Sequence, residues 1–183
     1  MQCLRKSVRA EVISVYFEAA IYVMVAFYVK GEDYMELKLA AVFSDKSVLQ
    51  RGRNIAVFGN GPEGERVEAV IGGKKLGDGE VQESRGSGFV RKGRFEILLS
   101  PLEAGVDHTM CVTCGKEEIK RQDIAIGEVW LAGGQSNMEF ELQNCTEKEV
   151  LNRPANSMIR FYYTQKKAYM DEEFFRSEEK TGW

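Results

Sequence analysis

Ser136 sits in the stretch GEVWLAGGQSNMEF, residues 127–140, between the amide side chains of Gln135 and Asn137 and just after Gly133 and Gly134. A serine hydroxyl acts as a nucleophile when a turn presents it and a neighbouring base takes its proton. The two glycines permit the positive-φ or crowded backbone that such a turn requires. Free N–H groups at the start of a following helix stabilise negative charge as it develops on a substrate oxygen. Gln135 and Asn137 are placed to orient neighbours or to donate to that oxyanion. The plainer role for Ser136 is a helix cap, which serine after glycine commonly takes.

Other reactive residue types give weaker patterns. Cys111 and Cys114 have the spacing of a metal or redox pair. On an extended strand, positions i and i+3 face opposite ways, and no second Cys or His pair lies nearby. Both are expected to be ordinary strand residues. The run GNGPEG, residues 59–64, has the outline of a phosphate loop, but Glu65-Arg66 follows where Lys-Ser/Thr is needed. KKLGDGE, residues 74–80, has a G-x-G without a buried strand before it or a helix after it. Both are expected to be turns. The sole histidine, His108, stands in AGVDHTM and is expected to be structural or exposed. Asp107 beside it points to the opposite face of a strand. No cofactor or metal is implied.

Something must hold the Ser136 turn in place, and the surrounding texture suggests what. After Gln122 the run DIAIGEVWLAGG is almost unbroken in apolar character, as for a strand buried on both faces of an α/β sheet. TEKEVLNR then reads as a helix, with Thr146 as N-cap and Glu147 and Glu149 in its first turn. SMIRFYYT reads as the next strand. Together they form one βαβ unit, with Ser136 at the carboxyl end of a strand, where open α/β sheets bind ligands. Upstream, ELKLAAVF, NIAVFG, ERVEAVIGG, GRFEILLSPL and HTMCVTCG are short β-prone runs separated by turn residues. They predict a β-sandwich over residues 35–125. Phe58, Val67, Ala69, Ile71, Phe95, Ile97 and Leu99 are expected to face one core. GKKLGDGEVQESRGSGF is expected to form hairpin turns and an exposed strand pair. The fold class is therefore mixed, an all-β domain followed from residue 126 to 183 by the start of an α/β domain. MDEEFFRSEEKTGW, at the end of the sequence, reads as a solvated helix face or a loop.

Composition limits the functions that fit. The 183 residues are 44% hydrophobic with a net charge of -3, enough apolar content for one core or two small ones. The scattered Lys and Arg, with a pI near 5.4, make no basic stripe, so nucleic acid is excluded as an expected partner. Four cysteines are too few for a disulfide scaffold and do not fix the compartment. Val12–Val29 is an 18-residue apolar run broken by Ser14 and Glu18 and preceded by Arg5, Lys6 and Arg9. A membrane contact is expected only through residues 12–29. Residues 1–34 read as a targeting segment, as upstream sequence ahead of a start at Met35, or as a packed helix. Localisation is accordingly cytoplasmic, or secreted or membrane-anchored.

The block at 127–140 resembles the nucleophile motif G-E-V-W-L-x-x-G-Q-S-N-M-E of the sialate O-acetylesterase family, within the SGNH hydrolases. VFSDKSVLQRGRNIAVFGNGPEGERV and LLSPLEAGVDHTMCV resemble the β-domain that precedes the hydrolase domain in that family, so the likeness covers roughly residues 36–165. The resemblance implies an SGNH, flavodoxin-like α/β domain and a serine esterase acting on O-acetylated carbohydrate. Ser136 is then the nucleophile, its N–H contributes to the oxyanion hole, and Gly134, Gln135 and Asn137 shape the turn. It also implies an Asp-x-x-His pair hundreds of residues downstream, which these residues do not contain. A chain comprising the β-domain and the first βαβ portion of the hydrolase, inactive by itself, is the expectation. Its unfinished sheet edge is expected to cause aggregation. The competing expectation is a non-catalytic β-sandwich that binds sugars or a partner chain.

Overall fold

The computed structural model describes residues 36–133, 140–144, 146, 148–154, 156–164 and 181–183. Its strands are β1 (Lys38–Leu39), β2 (Val48–Gln50), β3 (Ile55–Asn60), β4 (Arg66–Lys75), β5 (Val81–Phe89), β6 (Arg94–Leu99), β7 (Gly105–Cys114) and β8 (Glu117–Gly127). Two short 3-10 helices, Leu142–Asn144 and Lys148–Asn152, follow them. One sheet has the order β1-β3-β6 and the other β2-β8-β7-β4-β5. The pairings are antiparallel except that β2 runs parallel to β8, matching Val48, Leu49 and Gln50 with Ala125, Ile126 and Gly127.

Period-two alternation builds the core, because successive side chains on a strand point to opposite faces. Val67, Ala69 and Ile71 of β4, Met110 and Val112 of β7, and Ile124 and Ile126 of β8 line one inner face. Ile55 and Val57 of β3 and Phe95, Ile97 and Leu99 of β6 line the other, in a single apolar cluster. The register pairs Ile55 with Leu99 and Val57 with Ile97, so the alternation of the two strands is in phase. Phe58 is the exception to the expected set. It pairs with exposed Glu96 on the outer face, and its ring packs edge-on against Phe43 at 5.0 Å. A loop folded over the small sheet thus buries a residue that periodicity alone would place in solvent.

The expected glycine-rich hairpin joins β4 to β5. Lys75 N–H donates to the Glu80 carbonyl at 2.9 Å, and Asp78 accepts from the Glu80 N–H at 2.9 Å. Gly77 and Gly79 take the left-handed conformations that this turn needs. GNGPEG is likewise a strand end and turn, with Gly64 N–H donating to the Val90 carbonyl at 3.0 Å.

The region after residue 122 departs from the βαβ expectation. β8 crosses residue 125 and ends at Gly127. Ile124 and Ile126 are buried while Ala125 and Gly127 are partly exposed, the one-sided pattern of an antiparallel sandwich strand. Beyond it, Glu128 to Gly133 belong to no strand, and Trp130 and Leu131 are exposed. The run is apolar because of composition, without a sheet on either side among the described residues. In place of the helix at TEKEVLNR stands the 3-10 helix Lys148–Asn152. A helix this short does not repay its nucleation without a packed face, and Leu151 is exposed. In SMIRFYYT, residues 157–158 form a turn and residues 159–164 join no ladder. Ile159, Phe161 and Tyr163 point to solvent in alternation with Arg160 and Tyr162, so a strand's period is present without a paired strand among the described residues. Residues 1–34, including the expected hydrophobic segment, lie outside the described residues. Among the described residues, no helix is long and apolar enough to cross a membrane.

Candidate active site

Ser136 and its companions Gly134, Gln135 and Asn137 lie outside the described residues. The structure describes what flanks them. As the chain leaves β8, Glu128 is gripped by the end of β2. Its carboxylate accepts from Arg51 Nε at 2.7 Å and from Gln50 Nε2 at 3.0 Å. The hydrogen bond from Gln50, then that from Arg51, holds the Glu128 carboxyl below the usual carboxylate range. Val129 N–H donates to Gln50 Oε1 at 3.0 Å, and Arg51 N–H donates to the Gly127 carbonyl at 2.9 Å. The exit from β8 is therefore fixed by both backbone and side-chain bonds.

The other flank returns to the same edge. Arg160 Nη1 donates to the carbonyls of Lys46, at 2.9 Å, and of Asp123, while Nη2 reaches Asp123 Oδ1 at 2.8 Å. Trp183 Nε1 donates to the Val42 carbonyl at 2.9 Å, and its ring lies 5.5 Å from that of Tyr162. The receiving loop is itself fastened to β8, since Gln122 N–H donates to Asp45 Oδ1 at 2.8 Å and Lys46 N–H to the Gln122 carbonyl at 3.0 Å.

The His108 ring is fully buried in β7 and closed to solvent. The amide of Gln82 is oriented by one backbone position: Nε2 donates to the Glu103 carbonyl and Oε1 accepts from the Glu103 N–H, both at 2.8 Å. Gln82 Nε2 is therefore a donor to His108 Nε2, 3.0 Å away, and the imidazole is neutral with its proton on Nδ1. Among the described residues, Nδ1 makes no hydrogen bond of regular geometry. Burial pushes the His108 pKa down, against smaller opposing pulls from the backbone at Ile124 and Val106 and from Asp107. The ring fits because Gly73 and Gly105 lack side chains: a Cβ on either would lie 2.5 Å from a ring carbon. The basic lone pair is spent inside the core, and Asp107, left-handed at φ 57° in an irregular stretch of β7, faces solvent.

The remaining candidates are structural. Cys111 is half-buried on the outer face of β7 and Cys114 buried on the inner one, so they do not converge. Cys111 Sγ donates to Glu118 Oε1 at 2.9 Å, and burial, ahead of Glu118, raises the Cys111 thiol pKa. Among the described residues, no group of three His, Cys, Asp or Glu side chains is placed to hold a metal. A groove of about 300 Å³ on the outer face of β4 and β5 is lined by Arg66, Glu68, Val70, Arg85, Gly86 and Ser87. Its charges are matched locally, Arg66 with Glu68 at 2.9 Å and Arg85 with Glu83. Sequence reasoning missed the Gln50, Arg51 and Glu128 cluster and the Arg160 contacts. Their only sequence signal is charge next to an apolar run.

No known protein-family profile matches the chain, and no curated protein matches it. Among solved structures, its fold is similar to that of a carbohydrate acetylesterase from Xanthomonas citri, with a TM-score of 0.51 and 24% identity over 72% of this chain. The match spans 30% of that protein's length, and what the chain shares with it is a β-rich fold.

Proposed function

We propose that the chain is part of a serine esterase of the sialate O-acetylesterase type, which removes O-acetyl groups from sugars with Ser136 as nucleophile. The observation that carries this reading is a conjunction. The GQSNME block follows directly on a sandwich whose fold is similar to part of a carbohydrate acetylesterase. Ser136 Oγ attacks the ester carbonyl, the Ser136 N–H and the turn formed with Gly134, Gln135 and Asn137 stabilise the oxyanion, and the sugar hydroxyl leaves with a proton. Water then attacks the acetyl-enzyme, freeing acetate and the serine. His108 does not supply the base that takes the Ser136 proton, because its imidazole is sealed in the sandwich core.

The test is acetate release from an acetylated sugar or p-nitrophenyl acetate by this chain, by a form extended at its C-terminus, and by the Ser136→Ala variant of each. Turnover by the extended form, lowered at least about 10³-fold by Ser136→Ala, supports the reading. Turnover indifferent to Ser136→Ala sinks it. The groove of Arg66, Glu68, Arg85 and Ser87 favours a second reading, a sugar-binding module without chemistry. That reading expects glycan binding that is lost on Arg66→Ala and unchanged by Ser136→Ala.

A further inference from the structure

β7 is the middle strand of the five-stranded sheet, and it carries one residue more than either neighbour can match. From Gly105 to His108 it takes three steps while β8 takes two, from Ile126 to Ile124. From Val106 to Thr109 it again takes three while β4 takes two, from Lys74 to Gly72. The surplus residue is Asp107, left-handed at φ 57°. A bulge of this kind re-aims the side chains around it. Here it leaves Gly105 and His108 on the same buried side, and the imidazole lies in the space that Gly73 and Gly105 leave open.

One amide faces that ring. Gln82 is opposite Gly73 in the register, and its Nε2 and Oε1 are both committed to the backbone of Glu103, at 2.8 Å each. Those two bonds fix which atom is turned to the imidazole, so His108 Nε2 meets a donor at 3.0 Å. A proton on His108 Nε2 sets donor against donor. Turning the amide over relieves that contact but sets Oε1 against the Glu103 carbonyl and Nε2 against the Glu103 N–H. Admitting the proton therefore gives up both Glu103 bonds. Glu103 lies in the loop between β6 and β7, which Gln82 ties to β5, and Leu76 N–H ties the same loop to the β4–β5 turn through the Ala104 carbonyl at 2.7 Å.

The charged groups nearby offer the imidazolium no replacement partner. Asp107, on the ring's own strand, favours the proton but faces solvent. From β4, Lys74 is exposed and Lys75 is bonded to Glu80 at 2.7 Å. Glu83 of β5 is paired with Arg85, and Glu103 is exposed. From β8, Arg121 donates to the Phe43 carbonyl at 2.9 Å and Asp123 holds Arg160 at 2.8 Å. β6 turns only Phe95, Ile97 and Leu99 inward. Among the described residues, none of these charged side chains is bonded to the ring.

We propose that His108 and Gln82 form a proton-operated latch, which holds the β6–β7 loop against the β4–β5 hairpin while the ring is neutral and releases it when the ring is protonated. The release is local, and the rest of the core stays folded. It is independent of any role for Ser136. The released form gives the imidazole access to water, where it takes up a proton near the ordinary value of about 6.5. Burial disfavours that proton in the latched form. Acid therefore favours release, by up to about tenfold per pH unit below about 6.5, until the latched form also binds the proton.

The sole histidine gives an unambiguous ring signal, so nitrogen NMR and amide exchange on the intact chain test the latch together. At pH 7 the ring is expected as the neutral Nδ1–H tautomer. Exchange at Leu76 and Glu103, corrected for its intrinsic pH dependence, is expected to speed about tenfold between pH 7 and 5, with no response to low urea because little surface opens. Gly64, at the far end of β4, is the internal control and keeps its rate. His108→Gln removes the pH response, and Gln82→Ala leaves Leu76 and Glu103 in fast exchange already at pH 7. Should either variant fail to fold, the titration of the unaltered chain decides alone. An Nε2–H tautomer at pH 7 overturns the proposal. So does exchange at Leu76 and Glu103 that ignores pH, or that follows the inner strands in both rate and urea dependence, since the proton then acts only through global unfolding.

Discussion

At the scale of single residues, His108 has the clearest consequence. Its folded-state pKa is depressed by burial, so between that value and the ordinary histidine value near 6.5 the unfolded chain binds a proton that the native fold does not. Its contribution to stability is complete above about pH 6.5, falls as the pH drops below it, and levels off once the folded-state pKa is passed. Urea unfolding between about pH 5 and 7 will show this decline, and His108→Gln will flatten it. Glu63, Glu118 and Glu128 have lowered pKa values from hydrogen bonds, so their contributions are lost in a separate window, as the pH falls below about 4.5. The residue scale is also where the sequence was least informative. AGVDHTM shows a histidine on a strand, but its partner Gln82 lies in another hairpin, and only the folded register brings the two together.

At the scale of elements, the strands were legible and the segment after them was not. Val67, Ala69 and Ile71, like Phe95, Ile97 and Leu99, announce an inner face because each is separated from the next by one residue that faces outward. This gives a contrast within one strand. Ile97→Ala should cost about 2–5 kcal/mol in denaturant unfolding, since Ile97 is sealed in the core. Leu98→Ala, one position along β6 and 60% exposed, should stay within about 0.5 kcal/mol. Equal costs would contradict the register. Phe58 escaped the pattern because a loop covers it, a tertiary event that no local period encodes. The DIAIGEVWLAGG run misled for a related reason: hydrophobicity signals burial, and Trp130 and Leu131 are apolar yet exposed. The serine motif was legible as a motif, whereas the clasps at Glu128 and Arg160 depend on backbone shape that appears only once β8 has formed.

At the scale of the whole molecule, the core cluster runs from Leu37 to Ile126 and draws on both sheets. A chain comprising residues 36–128 should therefore unfold in one cooperative transition by urea, at a midpoint close to that of the 183-residue chain. It should also be the more monodisperse of the two on size exclusion with light scattering, because it lacks exposed Trp130, Leu131, Phe140, Ile159, Phe161 and Tyr163. Failure to fold would mean that the later segment supplies stability to the sandwich. β8 links the two ends of this body. Leu37 N–H donates to the Glu117 carboxylate at 2.6 Å where the strand starts, and Glu128 is gripped where it finishes, eleven strand residues on. At the rise of an extended chain, those points are roughly 35 Å apart. One strand thus spans the sandwich between unlike ends, so probes attached at residue 36 and at Glu128 should report a separation of roughly 35 Å.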